Sequence, residues 1–209
     1  MFGKRKVQPH RPTVKKKFDG KVRCKDKNKV LMNDLVAQYA QEAGMTSKYA
    51  LVLESAEMLT TKTLAKAGFS KSNIEIPNPH EDFPAIKRKH RQTYECLLSE
   101  YLDDLKDISG IRQTYGLAWF DYCDTYAGKK KAEYSKEEDI RKYFSLKLPA
   151  HRSIFAITIS YRAGKAGIYR DLTDCDIAIT THAHKNGYNA CKIDGRSYNG
   201  LFVLFYKIY

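Results

Sequence analysis

The segment Tyr115-Gly-Leu-Ala-Trp-Phe-Asp121-Tyr122-Cys123-Asp124 sets an apolar run directly against four side chains able to do chemistry. The run with Trp119 and Phe120 has the length and character of a buried strand, and it stops at Asp121. In an open α/β sheet, ligands sit beyond the carboxyl ends of the strands. A carboxylate, a phenol, a thiol and a second carboxylate emerging there have the make-up of a site. Each also has a structural use: Asp121 can cap the next turn, Tyr122 can pack over the sheet end, and Cys123 can be a small buried hydrophobe.

The remaining chemistry-bearing residues form weaker patterns. His80, His90, His182 and His184 include no pair supported by cysteines, and the spacing of His182 and His184 puts their rings on different faces of a helix, so no metal site is expected. Neither a phosphate-binding P-loop nor a G-x-G-x-x-G fingerprint is present, which argues against nucleotide hydrolysis and NAD binding.

These residues need a scaffold, and the hydrophobic pattern supplies one. Apolar residues at 35, 36, 39, 40 and 43 mark one face of a helix that Asn33 or Asp34 can cap and Gly44 ends. Tyr49–Leu53 is a strand, 59–68 a helix closed by Gly68, and Asn73–Pro77 a second strand. Residues 83–110 read either as one long helix or as a helix through His90, a strand at Thr93–Leu98 and a helix at Glu100–Leu105. The order of elements favours the second. Gly116–Phe120 is the next strand, Ser135 with Glu138 starts a helix as a capping box, Ser153–Ser160 is a strand and Asp171–His184 a helix. Two final strands flank Asp194-Gly195, a hairpin-type dipeptide. Alternation of this kind predicts an α/β three-layer sandwich with a mostly parallel sheet ending in an antiparallel hairpin.

Charge is concentrated at one end. Residues 1–30 hold 12 Lys/Arg and 2 Asp/Glu, a net of +10 out of +13 for the 209-residue chain. The expected organisation is therefore a basic tail, disordered when unbound, over 1–30 and an α/β domain over 31–209. A detached polycation that includes Lys15, Lys16 and Lys17 suits phosphate-bearing partners, while its bland use is solubility or nuclear import. Five cysteines without a C-x-x-C pair indicate free thiols. With no membrane-length apolar run and no signal peptide, the expectation is a soluble protein of a reducing compartment, cytoplasm or nucleus, without a membrane partner.

In element order, the chain over about 33–209 resembles the class I, Rossmann-like S-adenosylmethionine-dependent methyltransferases, whose seven-stranded sheet ends in such a hairpin. The resemblance implies S-adenosylmethionine as cofactor. It places Glu54 at the end of the first strand and the cofactor turn at Glu54-Ser55-Ala56-Glu57-Met58-Leu59-Thr60. Ser55, Ala56 and Thr60 then line the cofactor, Asn78 meets its ribose, Leu98 lies near its adenine, and Asp121 closes the site. The turn departs from the family in having no glycine. The Asp121–Asp124 exit lacks the two prolines of base-amino methyltransferases.

On that reading, Asp121 would orient an acceptor amine and Tyr122 would stack on a base brought out of its helix. Cys123 would serve a thiolate mechanism at a pyrimidine. Lys87–Arg91, with Arg88 and Arg91, and Lys129–Lys131, with Lys129 and Lys130, would follow a nucleic acid backbone near the sheet's carboxyl edge, where the 15 tyrosines offer stacking surfaces. The leading function is thus methyl transfer to RNA or DNA. The first alternative is a catalytically inactive protein of the same fold that binds nucleic acid or serves assembly. A second is a methyltransferase for protein or a small molecule.

Overall fold

The structure is a computed structural model that describes residues 27–78, 83–107, 113–122, 126, 135–160 and 165–209. The four exit residues Asp121–Asp124 are therefore divided: Asp121 and Tyr122 are described, Cys123 and Asp124 lie outside. Lys15, Lys16, Lys17, Lys129 and Lys130 also lie outside the described residues.

Short apolar runs rich in Val, Ile, Phe and Tyr, as in Tyr115–Asp121 and Leu201–Ile208, become strands that are buried on both faces. In chain order the elements are α1 (Lys27–Glu42), β1 (Tyr49–Val52), α2 (Leu59–Lys66), β2 (Ile74–Pro77), α3 (Phe83–Lys89), β3 (Thr93–Tyr94), α4 (Leu98–Asp107), β4 (Tyr115–Asp121), α5 (Lys136–Ser145), β5 (Pro149–Ser160), α6 (Lys165–Lys185), β6 (Ala190–Tyr198) and β7 (Leu201–Ile208). Seven strands form one sheet in the order β3-β2-β1-β4-β5-β7-β6. All neighbours from β3 to β5 are parallel, and β7 is antiparallel to both β5 and β6. The expected three-layer sandwich with a mostly parallel sheet is the observed fold.

Two cores fill the space between the layers. On one face Val36, Ala40, Leu64 and Ile86 from α1, α2 and α3 pack on Val52, Ile76, Trp119 and Phe205. On the other, Leu102, Tyr143, Phe144 and Ile179 from α4, α5 and α6 pack on Leu51, Phe120, Phe155 and Tyr206. Gly116 allows β4 to run close under the segment before β1. A Cβ there would sit 2.7 Å from Met45 Cβ and 2.9 Å from the Met45 carbonyl oxygen.

The structure corrects four local expectations. Helix α1 already includes Lys27, so Asn33 is inside it; its Oδ1 accepts a bond from Thr60 Oγ1 at 3.2 Å instead of capping. Residues 83–107 take the helix–strand–helix alternative, but β3 spans only Thr93–Tyr94. Leu98 therefore starts α4 and packs in the core. The terminal hairpin turns at Asn199-Gly200, both left-handed (φ 46° and 77°), the signature of a two-residue type I′ turn. Asp194-Gly195 instead lies within β6, where the register against β7 shifts between Lys192 and Asp194.

Candidate cofactor and acceptor site

Strand order reverses direction between β1 and β4, and the crevice beyond their carboxyl ends is the switch point where open α/β sheets take ligands. Three strands deliver a polar residue to it by the same rule. Side chains alternate faces along a strand. On the face covered by α1, α2 and α3, Ala50 and Val52 are followed by Glu54, Ile74 and Ile76 by Asn78, and Leu117 and Trp119 by Asp121. As each strand leaves the sheet, the next residue of its apolar row becomes polar.

Glu54 folds back onto α2. Its carboxylate accepts from the Thr61 amide at 2.8 Å and the Thr61 hydroxyl at 3.0 Å, with the Ser55 amide at 3.2 Å. Loss of water around the carboxyl raises its pKa; the Thr61 amide and the Lys29 charge act against that rise. Asn78 is buried and donates from Nδ2 to the Glu54 carbonyl at 2.8 Å, which ties the ends of β1 and β2 together. The turn between β1 and α2 bends without a glycine: Met58 takes the left-handed conformation (φ 58°, ψ 40°) and is buried. Ser55 and Ala56 are half-buried along it, and the Ala56 carbonyl accepts from Lys89 Nζ at 2.6 Å. Thr60 is buried with its hydroxyl on Asn33.

Asp121 has a partner that the sequence reading missed. Lys29, at the amino end of the described part of α1, forms an ion pair with its carboxylate, and the two side chains are 11% and 16% exposed. The same ammonium lies 4.2 Å from the centroid of the Trp119 ring, whose Nε1 donates to Thr158 Oγ1 at 3.0 Å. Counting the helix face back from Met32, Val36 and Ala40 places Lys29 inward. That signal was present, but a helix start at Asn33 hid it.

Tyr122 faces the other way. As the residue directly after the strand it projects towards α5, where its hydroxyl donates to Asp139 Oδ2 at 2.5 Å and Lys136 Nζ stands 5.2 Å from its ring centroid. Only 6% exposed, Tyr122 is packed over the sheet end and does not share a face with Asp121. Period-2 alternation separates Asp121 from Tyr122, two of the three expected catalytic residues. Burial pushes the Asp139 carboxyl up to about 6, opposed by the Tyr122 hydroxyl bond and by Lys142 and Lys136.

Elsewhere, Arg88 and Arg91 are exposed, and Arg88 Nε donates to the Pro84 carbonyl at 3.2 Å. Arg91 lies in the segment that leads into β3, where Lys71, Ser72, Lys89, His90, Arg91 and Gln92 surround an open cavity of about 510 Å³. A further buried carboxylate, Glu75, accepts bonds from both the Tyr101 and Tyr115 hydroxyls at 2.5 Å, on the face opposite Glu54. Cys96, Cys175 and Cys191 are free thiols. Among the described residues no group of three or more His, Cys, Asp or Glu could hold a metal, and no helix is long and apolar enough to cross a membrane.

No protein-family model and no curated protein sequence matches the chain. Solved structures do. A protein assigned as a sarcosine dimethylglycine methyltransferase from Galdieria sulphuraria superposes with a TM-score of 0.54 at 11% identity, covering 85% of each chain. Magnesium protoporphyrin IX methyltransferase from Synechocystis PCC 6803, with bound SAH, gives 0.54 at 10% identity over 86% of this chain and 82% of the other. A protein assigned as an rRNA methylase from Clostridium thermocellum gives 0.51 at 11% identity over 86% and 96%. The fold is that of class I methyltransferases. At the switch point the Asp121 carboxylate and the Trp119 indole face hold the Lys29 ammonium. The glycine-poor turn reaches its left-handed bend through Met58.

Proposed function

We propose that the protein is an S-adenosylmethionine-dependent methyltransferase acting on RNA or DNA. The observation that carries this reading is the convergence of Glu54, Asn78 and Asp121 at the β1/β4 switch point of a methyltransferase fold. When bound, the cofactor supplies an electrophilic methyl group on a cationic sulfur. Glu54, held by Thr61, and Asn78, held at the Glu54 carbonyl, fix the walls of its site. Asp121 is the group that would accept a hydrogen bond from the methyl acceptor, and it must first release Lys29. Nucleic acid as substrate rests on the net charge of +10 in residues 1–30 and on a structural neighbour assigned as an rRNA methylase.

A second reading has its own support: the turn lacks glycine, and Lys29 already satisfies Asp121. On that reading the protein binds nucleic acid or serves assembly without catalysis. Calorimetric titration with S-adenosylmethionine, followed by transfer of its labelled methyl group to total RNA and to DNA, separates them. Binding and label on nucleic acid are expected. No heat at millimolar cofactor would remove the enzyme reading and leave the second.

A further inference from the structure

We infer that the crevice between the ends of β1 and β4 is a binding site for an organic cation, and that Lys29 is its resident occupant, exchanged for the ligand on binding. The site has the two parts such recognition needs. Asp121 supplies a carboxylate in direct contact, and the Trp119 face lies 4.2 Å from the ammonium. An indole face with a carboxylate favours ammonium and sulfonium groups over hydrated metal ions.

A lysine is an odd choice here unless its charge is wanted. The rest of this face of α1 is Met32, Val36, Ala37 and Ala40, with Asn33 as the one other buried polar residue, held by the Thr60 hydroxyl. Burying an ammonium loses hydration that only a well-placed counter-charge returns, and an apolar residue would usually serve stability as well or better.

The occupant is also placed to leave. Lys29 lies three residues before Met32, at the amino end of the described part of α1. Its long, flexible side chain can swing outward and withdraw the ammonium while the α1 core from Met32 onward stays in place.

The ligand's identity as the cofactor's sulfonium rests on the proposed function; the cation site does not. The probe is therefore trimethylsulfonium chloride, added to the full-length wild type and to Lys29→Ala, with sodium chloride at equal ionic strength as control. At about five times its dissociation constant it is expected to raise the melting temperature of Lys29→Ala by roughly 2–4 °C. The wild type and the Lys29→Ala/Asp121→Asn double variant are expected to respond far less. A Lys29→Ala protein that unfolds cooperatively and ignores the probe overturns the inference. In the wild type, acetylation of Lys29 by acetic anhydride is expected to be slow and to accelerate as the probe is raised. Unchanged labelling at saturating probe overturns it independently of how the variant folds. S-adenosylmethionine is expected to bind Lys29→Ala at least about ten-fold more tightly than wild type. If the sulfonium probe acts and the cofactor binds neither protein, the cation site stands and the methyltransferase reading falls.

Discussion

Asp121 faces α1 and Tyr122 faces α5, so neighbours in sequence belong to different layers of the molecule. The Asp121–Lys29 contact makes a stability prediction that is separate from any activity. Asp121→Ala strips a largely buried ammonium of its partner and should destabilise by about 1–3 kcal/mol. Adding Lys29→Met to that variant should recover most of the loss, since an apolar pair replaces an ion pair at little net cost. Urea denaturation of the two single variants and the double variant measures the coupling. Asp139 gives a second test. Its folded-state pKa, raised to about 6 by burial, exceeds its ordinary value, so the folded chain takes up the proton more readily than the unfolded one. Its stabilising contribution is complete below about pH 4 and is lost as pH rises through about 6, at up to about 1.4 kcal/mol per pH unit. Asp139→Asn should flatten that slope in urea midpoints taken between these limits. The groups around it are Tyr122, Lys136, Lys142 and Glu138, and none of their substitutions should abolish the slope as Asp139→Asn does. At this scale the sequence showed that Asp121 ends a strand, and pleat alternation would also have set Tyr122 aside. Lys29 was obscured because its charge counted it with the tail.

Among the elements, the turn from β1 to α2 reverses a familiar preference. Glycine is normally worse than alanine in the middle of a helix or strand. At Met58 both substitutions lose the same buried side chain, but only alanine keeps a Cβ in a left-handed conformation. Met58→Gly should therefore be more stable than Met58→Ala by about 1 kcal/mol, read from thermal or urea unfolding. Gly116 is the converse case: Gly116→Ala puts a methyl group within 2.7–2.9 Å of Met45 and Lys48 and should destabilise by about 1–3 kcal/mol. Element type was legible wherever a run was long and apolar, as in β4 and β5, or periodic, as in α1. The two-residue β3 was not, because its register is set by pairing with Ile76 and Pro77 and not by its own residues. The hairpin was misplaced by one competing dipeptide. Asn199-Gly200 and Asp194-Gly195 both carry turn chemistry, and only packing of Leu201 to Ile208 along β5 decides between them.

At the scale of the molecule, charge and fold divide the labour. Removing residues 1–26 retains Lys29 and α1, so the fold should unfold cooperatively as before while the salt dependence of RNA and DNA affinity flattens. Filter binding over a salt series checks this, with circular dichroism melting as the control for the fold; an unchanged slope would remove the electrostatic case for nucleic acid.

The irregular β6 has one more effect. It is the outermost strand on its side of the sheet, and an outer strand is an open invitation to another chain's backbone. The extra residue Ile193 interrupts its regular spacing, Tyr39 and Arg196 hold the Asp194 carboxylate at 2.8 Å, and Lys192 and Arg196 add exposed charge. At the opposite border β3 offers two residues. Each rim of the sheet is thus blunted by a different means, which guards this basic, aromatic-rich chain against edge-to-edge aggregation.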